Sequence, residues 1–128
     1  MPEKKKILIV EDEAPMLEAL ARKFSDKGFD VITASDGEEG LRKALELRPD
    51  IVLLDIIMPK MEGIEVMHRI RDDKKWGSDV PIIMLTNLSD ADNVAEAAKY
   101  RVYDFLVKTD WRLDDIYELV EQKISQRG

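Results

Sequence analysis

Apolar residues arrive along this chain in five short bursts, at residues 6–10, 31–34, 51–59, 81–85 and 105–107. Runs of this length bounded by turn-forming residues fit strands covered on both faces, as in a parallel sheet. Between the bursts the apolar positions change to helical spacing. Pro15 stands where a first-turn proline belongs, Leu17, Leu20, Ala21 and Phe24 share a face, and Gly28 ends that helix. Ser35, Asp36 and Gly37 lead into a second helix carrying Leu41, Ala44 and Leu45, which Pro49 closes. Ile64, Met67 and Ile70 recur in threes across residues 63–73, and Trp76, Gly77, Ser78 and Asp79 read as a loop. The alanine-rich segment 90–100 offers only Val94, Ala97 and Ala98 as a small face, so it is expected to be the least firmly packed helix. Leu113, Ile116, Leu119, Val120 and Ile124 mark a closing helix that runs nearly to Gly128. Five strands alternating with five helices predict an α/β fold, a doubly wound parallel sheet with helices on both faces.

Length and charge narrow the picture. A chain of 128 residues suits one domain, residues 1–128, with a core that needs no staples. With 27 acidic and 20 basic residues the net charge is -7, which disfavours nucleic acid as a direct partner. There is no cysteine, so neither disulfides nor thiolate metal sites are available. Lys4, Lys5 and Lys6 precede an apolar run far too short for a signal sequence or a membrane span, and a cytoplasmic location is expected.

The residues that close the bursts carry the chemistry. Glu11 and Asp12 follow the first, Asp55 lies at the end of the third strand, Thr86 follows the fourth and Lys108 the fifth. The carboxyl ends of parallel strands lie on one edge, where open α/β sheets hold their ligands. Three carboxylates, a hydroxyl and an ammonium therefore converge. Close carboxylate pairs repel by several kcal/mol at an effective dielectric of about 20, so something cationic must compensate. Lys108 offsets part of this repulsion, and an oxygen-only site also suits a hard divalent cation such as Mg2+. Taken singly, Asp55 also reads as a cap on the next turn, and Glu11, Asp12 and Glu13 as a helix-entry cluster. Those readings leave Thr86 and Lys108 unexplained.

Glu11-Asp12, Asp55 followed by Met58-Pro59 and Gly63, then Thr86 and Lys108, make the chain resemble a bacterial two-component response-regulator receiver domain. The resemblance covers residues 6–126 and is of the single-domain, chemotaxis-regulator kind. It implies a flavodoxin-like sheet of strand order 2-1-3-4-5. It also implies that Asp55 takes a phosphoryl group from a phosphohistidine. Mg2+ would be held by Asp12, Asp55 and the Ile57 backbone carbonyl, with Glu11 acting mainly through water. Lys108 and Thr86 would bind phosphoryl oxygens. Thr86, drawn to the phosphoryl group, would vacate space for Phe105 and so bias the face formed by the fourth helix, fifth strand and fifth helix. Such a phosphoprotein promotes its own phosphorylation and dephosphorylation without being a dedicated enzyme. Its implied partners are a sensor histidine kinase or phosphotransfer protein, an unspecified downstream protein, and a second copy of itself on phosphorylation.

The chain departs from the family pattern in places. Phe105 stands where many relatives carry tyrosine, so a switch that needs the hydroxyl is not expected. Thr109 replaces the usual proline after Lys108, which favours a trans bond. Arg101-Val102 stands where Gly-Ala is usual. Asn87 is larger than the usual small residue, and with Ile57 it predicts slow loss of the phosphoryl group. His68 reads as a surface residue, and Met58, Met61, Met67 and Met84 as packing. Tyr100, Tyr103, Trp111 and Arg112 are candidate interface anchors on the switching face. A flavodoxin-like cofactor carrier is disfavoured because Glu11, Asp12 and Glu13 would repel a phosphate, and no GxGxxG follows a strand. The remaining alternative is a phosphorylation-independent interaction module. No effector domain follows the closing helix, so the chain reads as a stand-alone regulator or a receiver cut from a longer one. The lack of a linker-like tail after Gln126 favours the former.

Overall fold

The computed structural model describes residues 4–86, 91–102, 104–108 and 111–127. The bursts form β1 (Lys6–Val10), β2 (Asp30–Ala34), β3 (Ile51–Asp55), β4 (Ile82–Thr86) and β5 (Asp104–Val107). The intervening segments form α1 (Ala14–Asp26), α2 (Gly37–Leu47), α3 (Gly63–Arg71), α4 (Ala91–Lys99) and α5 (Leu113–Arg127). All strand pairs are parallel, in the order β2-β1-β3-β4-β5, as expected.

Strand alternation divides the core into two layers. Leu8, Val10, Val52, Leu54 and Met84 meet Ala44, Val66, Met67, Ile70 and Ala97 of α2, α3 and α4. Ile7, Ile9, Leu53, Ile83 and Leu85 meet Leu20, Phe24, Ile116 and Val120 of α1 and α5. Both faces of the central strands are thus covered, which is why β1, β3 and β4 read as unbroken apolar runs. Each fully buried aliphatic or aromatic side chain stabilises the fold by about 1.5–3 kcal/mol relative to exposure.

Local sequence sets the element ends. Gly28 adopts φ +91° after α1, a conformation that favours glycine. At the start of α2, Asp36 accepts from the Glu39 N–H at 2.8 Å, and Glu39 reaches back to the Ser35 N–H at 2.7 Å. This is a reciprocal arrangement akin to a capping box. Arg48 closes α2 in the left-handed region, just before Pro49. α4 ends in a Schellman-type cap, in which Arg101 at φ +64° donates to Ala98 and Val102 donates to Ala97.

As expected, α4 is lightly packed: of its described side chains only Ala97 is buried, and Val94 is an exposed apolar residue. Leu45 is also exposed rather than part of the α2 face. It lies one residue round the helix from Ala44, and Gly40, Leu41 and Ala44 already fill the contact with the sheet. Among the described residues no helix is long and apolar enough to cross a membrane.

Candidate functional site

The site is built on the carboxyl edge of the sheet, where backbone hydrogen bonds continue the ladder past the strands. Glu11 N–H donates to Ala34, Ile56 N–H to Leu85 and Lys108 N–H to Thr86, at 3.0, 3.0 and 2.7 Å. The backbone at Glu11, Asp55 and Lys108 is therefore fixed against its neighbours before any side chain is considered. The alternation of β1 and β3 sends Glu11 and Asp55 to the face that carries Ile7, Ile9, Ile51 and Leu53, the α1/α5 side. Thr86 follows Ile82 and Met84 onto the opposite side, toward α3 and α4. Thr86 is itself the last residue of β4 rather than a residue beyond it.

Glu11, Asp12 and Asp55 bring one carboxylate oxygen each to within 4.8 Å of one another. Glu11 is fully buried and Asp55 is 4% exposed, while Asp12 is open to solvent. Lys108 Nζ enters this cluster, 2.5 Å from Glu11 Oε1, 3.0 Å from Asp55 Oδ2 and 3.1 Å from Glu13 Oε1. The contacts with Asp55 and Glu13 are hydrogen bonds. Glu11 Oε1, despite its ionic contact, accepts no aligned hydrogen bond. Its other oxygen accepts from the Glu13 N–H at 3.0 Å.

The electrostatics follow from this crowding. Burial pushes the Asp55 carboxyl up to about 7; the Lys108 hydrogen bond pulls the other way and the Glu11 charge adds to the rise. Burial alone would lower the Lys108 pKa, but the carboxylates of Glu11, Asp55 and Glu13 hold it above its ordinary value. One ammonium among four carboxylates leaves the edge short of positive charge. An incompletely satisfied buried oxygen beside two further carboxylates, all oxygen donors, fits a hard divalent cation.

Gly63 lies against the backbone at Asp55 and Ile56. Its N–H donates to the Ile56 carbonyl at 2.7 Å, and a Cβ there would lie 2.2 Å from the Asp55 carbonyl oxygen. Only glycine allows α3 to start this close to the β3 end. Ile57, two residues past Asp55, turns its side chain outward and is 68% exposed.

Phe105 pairs with Met84 in the sheet, so it lies on the Thr86 side, partly buried against the α2–α4 layer. Tyr100 packs against the same layer, and Trp111 and Arg112 are exposed. Tyr103, Asn87 and the Lys108–Thr109 bond fall outside the described residues. The four methionines named above are buried or partly buried, as packing requires. His68 is not a free surface residue: its ring stacks on Tyr100 at 4.4 Å, and Nε2 lies 3.6 Å from Glu96 Oε1.

Two residues went unnoticed in the sequence. Glu13 was grouped with its acidic neighbours, although a glutamate at a helix N-cap position, where shorter polar residues are preferred, was the available signal. Arg71 continues the apolar stripe of α3 and is buried, with Nε donating to the Tyr100 carbonyl at 2.7 Å and a terminal nitrogen to the Gly77 carbonyl at 2.8 Å.

A family model described as the response regulator receiver domain matches residues 7–121. A probable transcriptional regulator, ycf27 of Guillardia theta, is 46% identical over 105 residues, covering 82% of this chain and 40% of that protein. The chain spans less than half the length of the first curated relatives it matches. A CheY-like receiver domain from Methanospirillum hungatei superposes with a TM-score of 0.89 at 24% identity, over 97% of this chain and 96% of that one, a likeness of fold. A chain of the CheX-CheY-BeF3-Mg2+ complex from Borrelia burgdorferi is 31% identical with a TM-score of 0.81, covering 92% of this chain and 87% of that one.

Proposed function

The chain belongs to the response regulator receiver domain family, the phosphorylation-based signalling modules of two-component systems, and from that premise we propose that Asp55 is its phosphoacceptor. The observation that carries this reading is the placement of Asp55 at the end of β3, nearly buried, hydrogen-bonded to Lys108 and flanked by Glu11 and Asp12. An Asp55 carboxylate oxygen attacks the phosphorus of a donor phosphohistidine. The new P–O bond forms as the P–N bond breaks, and the imidazole leaves with the electron pair.

Asp12, Asp55 and the Ile57 backbone carbonyl would hold Mg2+, with Glu11 acting mainly through water. The Borrelia neighbour's complex, described with BeF3 and Mg2+, supports Mg2+ as the ion, and the cluster of Glu11, Asp12 and Asp55 supports its place. When bound, Mg2+ supplies the positive charge that favours ionised Asp55 and offsets the incoming phosphoryl oxygens. Lys108 binds one phosphoryl oxygen and the Thr86 hydroxyl another. Phe105, on the same side of the sheet as Thr86, then moves inward as Thr86 is drawn to the phosphate. That movement biases the face of α4, β5 and α5 toward a different partner surface. Light packing of α4 suits an element that must change its position.

In this reading residues 1–128 form a single cytoplasmic receiver domain, phosphorylated by a sensor histidine kinase or phosphotransfer protein. A downstream protein, or a second copy of the chain, is the partner of the altered face. Ile57, exposed beside the site, and Asn87 limit access of water, and the phosphoryl group is lost slowly.

Intact mass after incubation with Mg2+ and phosphoramidate tests the reading. The expected result is a gain of one phosphoryl group, abolished by chelation and by Asp55→Asn. No gain, with a cognate kinase also failing, would favour a phosphorylation-independent interaction module.

A further inference from the structure

An ammonium carries three hydrogens, and the Lys108 ammonium already faces three carboxylates. It donates hydrogen bonds to Glu13 and Asp55 and is in ionic contact with Glu11. A phosphoryl oxygen on Asp55 would bring a fourth anionic group to this ammonium, in competition with the partner that is most easily given up. Glu11 is fully buried, and losing its counter-ion there is costly. Asp55 is the residue that carries the phosphoryl group. Glu13, with a side chain 55% exposed, is the partner that water can take over most easily.

The local structure of Glu13 points the same way. It occupies the N-cap position of α1, yet its side chain caps nothing. Pro15 has no N–H, so Met16 offers the N–H in this first turn that an N-cap side chain would bind. Glu13 instead reaches across to Lys108, 95 residues along the chain. Its own N–H meanwhile donates to Glu11 Oε2, which holds the two acids in a fixed relation.

Resting on the phosphoacceptor reading above, we infer that Glu13 is a positioning residue, the exchangeable tether that holds Lys108 in the resting site and is displaced by the incoming phosphoryl oxygen. The tether stabilises the unphosphorylated site and must be broken as the P–O bond to Asp55 forms, so it slows phosphorylation. It acts through Lys108 and does not touch the reacting atoms.

The test compares Glu13→Gln, Glu13→Asp and Glu18→Gln with the wild type. Initial rates are followed by intact mass with phosphoramidate and Mg2+, in which ammonia leaves as the phosphoryl group is transferred. Glu13→Asp keeps the charge but is one methylene too short to hold Lys108, whereas Glu18→Gln removes an exposed α1 charge elsewhere. Glu13→Gln and Glu13→Asp are both expected to react roughly two- to fivefold faster, the range an exposed ion pair supports, and Glu18→Gln at the wild-type rate. In the metal-free proteins the Lys108 ε-methylene NMR signals should shift in both Glu13 variants and not in Glu18→Gln. A wild-type rate in Glu13→Asp, or unshifted Lys108 signals, would overturn the tether while leaving Asp55 as acceptor. Absence of any phosphoryl gain in the wild type would overturn the acceptor reading and the tether with it.

Discussion

Lys108 and Arg71 are both cations with buried side chains, at opposite edges of the same sheet, and backbone carbonyls hold Arg71 where carboxylates crowd Lys108. Lys108 follows β5 at the carboxyl edge and faces the carboxylates of Glu11, Glu13 and Asp55. Arg71, at the end of α3, donates to the backbone carbonyls of Tyr100 and Gly77. Beside it, Arg101 donates to the Ser78 carbonyl. Carbonyls of a folded backbone cannot be protonated or exchanged for a ligand at small cost. Carboxylates can be protonated, hydrated, phosphorylated or shared with a metal ion. The Arg71 edge is therefore a staple, fastening the end of α4 and the loop before β4. The Lys108 edge is a site whose partners can be traded, and its carboxylates outnumber its one ammonium.

The largest effect should come from the staple. Arg71→Met fills a similar volume but leaves the Tyr100 and Gly77 carbonyls without their donor, at a cost of about 2–4 kcal/mol. Urea unfolding would measure it, and a loss well under 1 kcal/mol would break the distinction. The site should respond with the opposite sign. Because burial and the Glu11 charge together oppose an ionised Asp55, Asp55→Asn should stabilise the metal-free protein at pH 8 by roughly 1–2 kcal/mol. Added Mg2+ should narrow that gap by stabilising the wild type, by about 1.4 kcal/mol at tenfold excess over its Kd, and should do so less in the variant. A destabilised Asp55→Asn would mean that the Lys108 contact outweighs the repulsion.

The two edges also differ in how well the sequence announces them. Strand order aside, the five strands and five helices could be read from apolar bursts and helical spacing, because β1, β3 and β4 are covered on both faces and admit almost nothing polar. Glu11, Asp12, Asp55 and Lys108 were legible for the same reason: a charge ending an apolar strand has few places to go but the edge. Glu13 was not, since its one signal, a long acid where a short N-cap residue is preferred, does not say that its side chain reaches Lys108. Arg71 was hidden because the Tyr100 and Gly77 carbonyls that it binds are groups every residue possesses. The placement of Leu45 depended on Gly40, Leu41 and Ala44 filling the α2 contact first, and helical spacing alone carries no such information. The half-buried His68 likewise owes its place to Glu96 of α4 and to Tyr100 just after that helix, which spacing within α3 does not show.

The finest test of the distinction compares two carboxylates near the same edge. Glu39, like Arg71, is held by the backbone: the Ser35 N–H lowers its pKa below the ordinary 4.5, burial opposes this, and Lys43 assists. Asp55 is moved the other way, chiefly by burial and then by the Glu11 charge, against the pull of Lys108. A carboxylate whose folded pKa is depressed contributes stability above its unfolded pKa, and that contribution is lost as pH falls through the folded value. Wild type should therefore lose more stability than Glu39→Gln between pH 5 and a pH well below 4.5, a window set by the lowered Glu39 pKa. The difference should be the smallest in the series, because the Glu39 side chain is partly exposed, at 33%, and its pairing with Lys43 is screened. Urea midpoints of the two proteins at both pH values measure it. Parallel loss in both would mean that the Ser35 N–H holds the neutral acid as well as the carboxylate, and backbone capping would then be no firmer an anchor for charge than the exchangeable partners of Lys108.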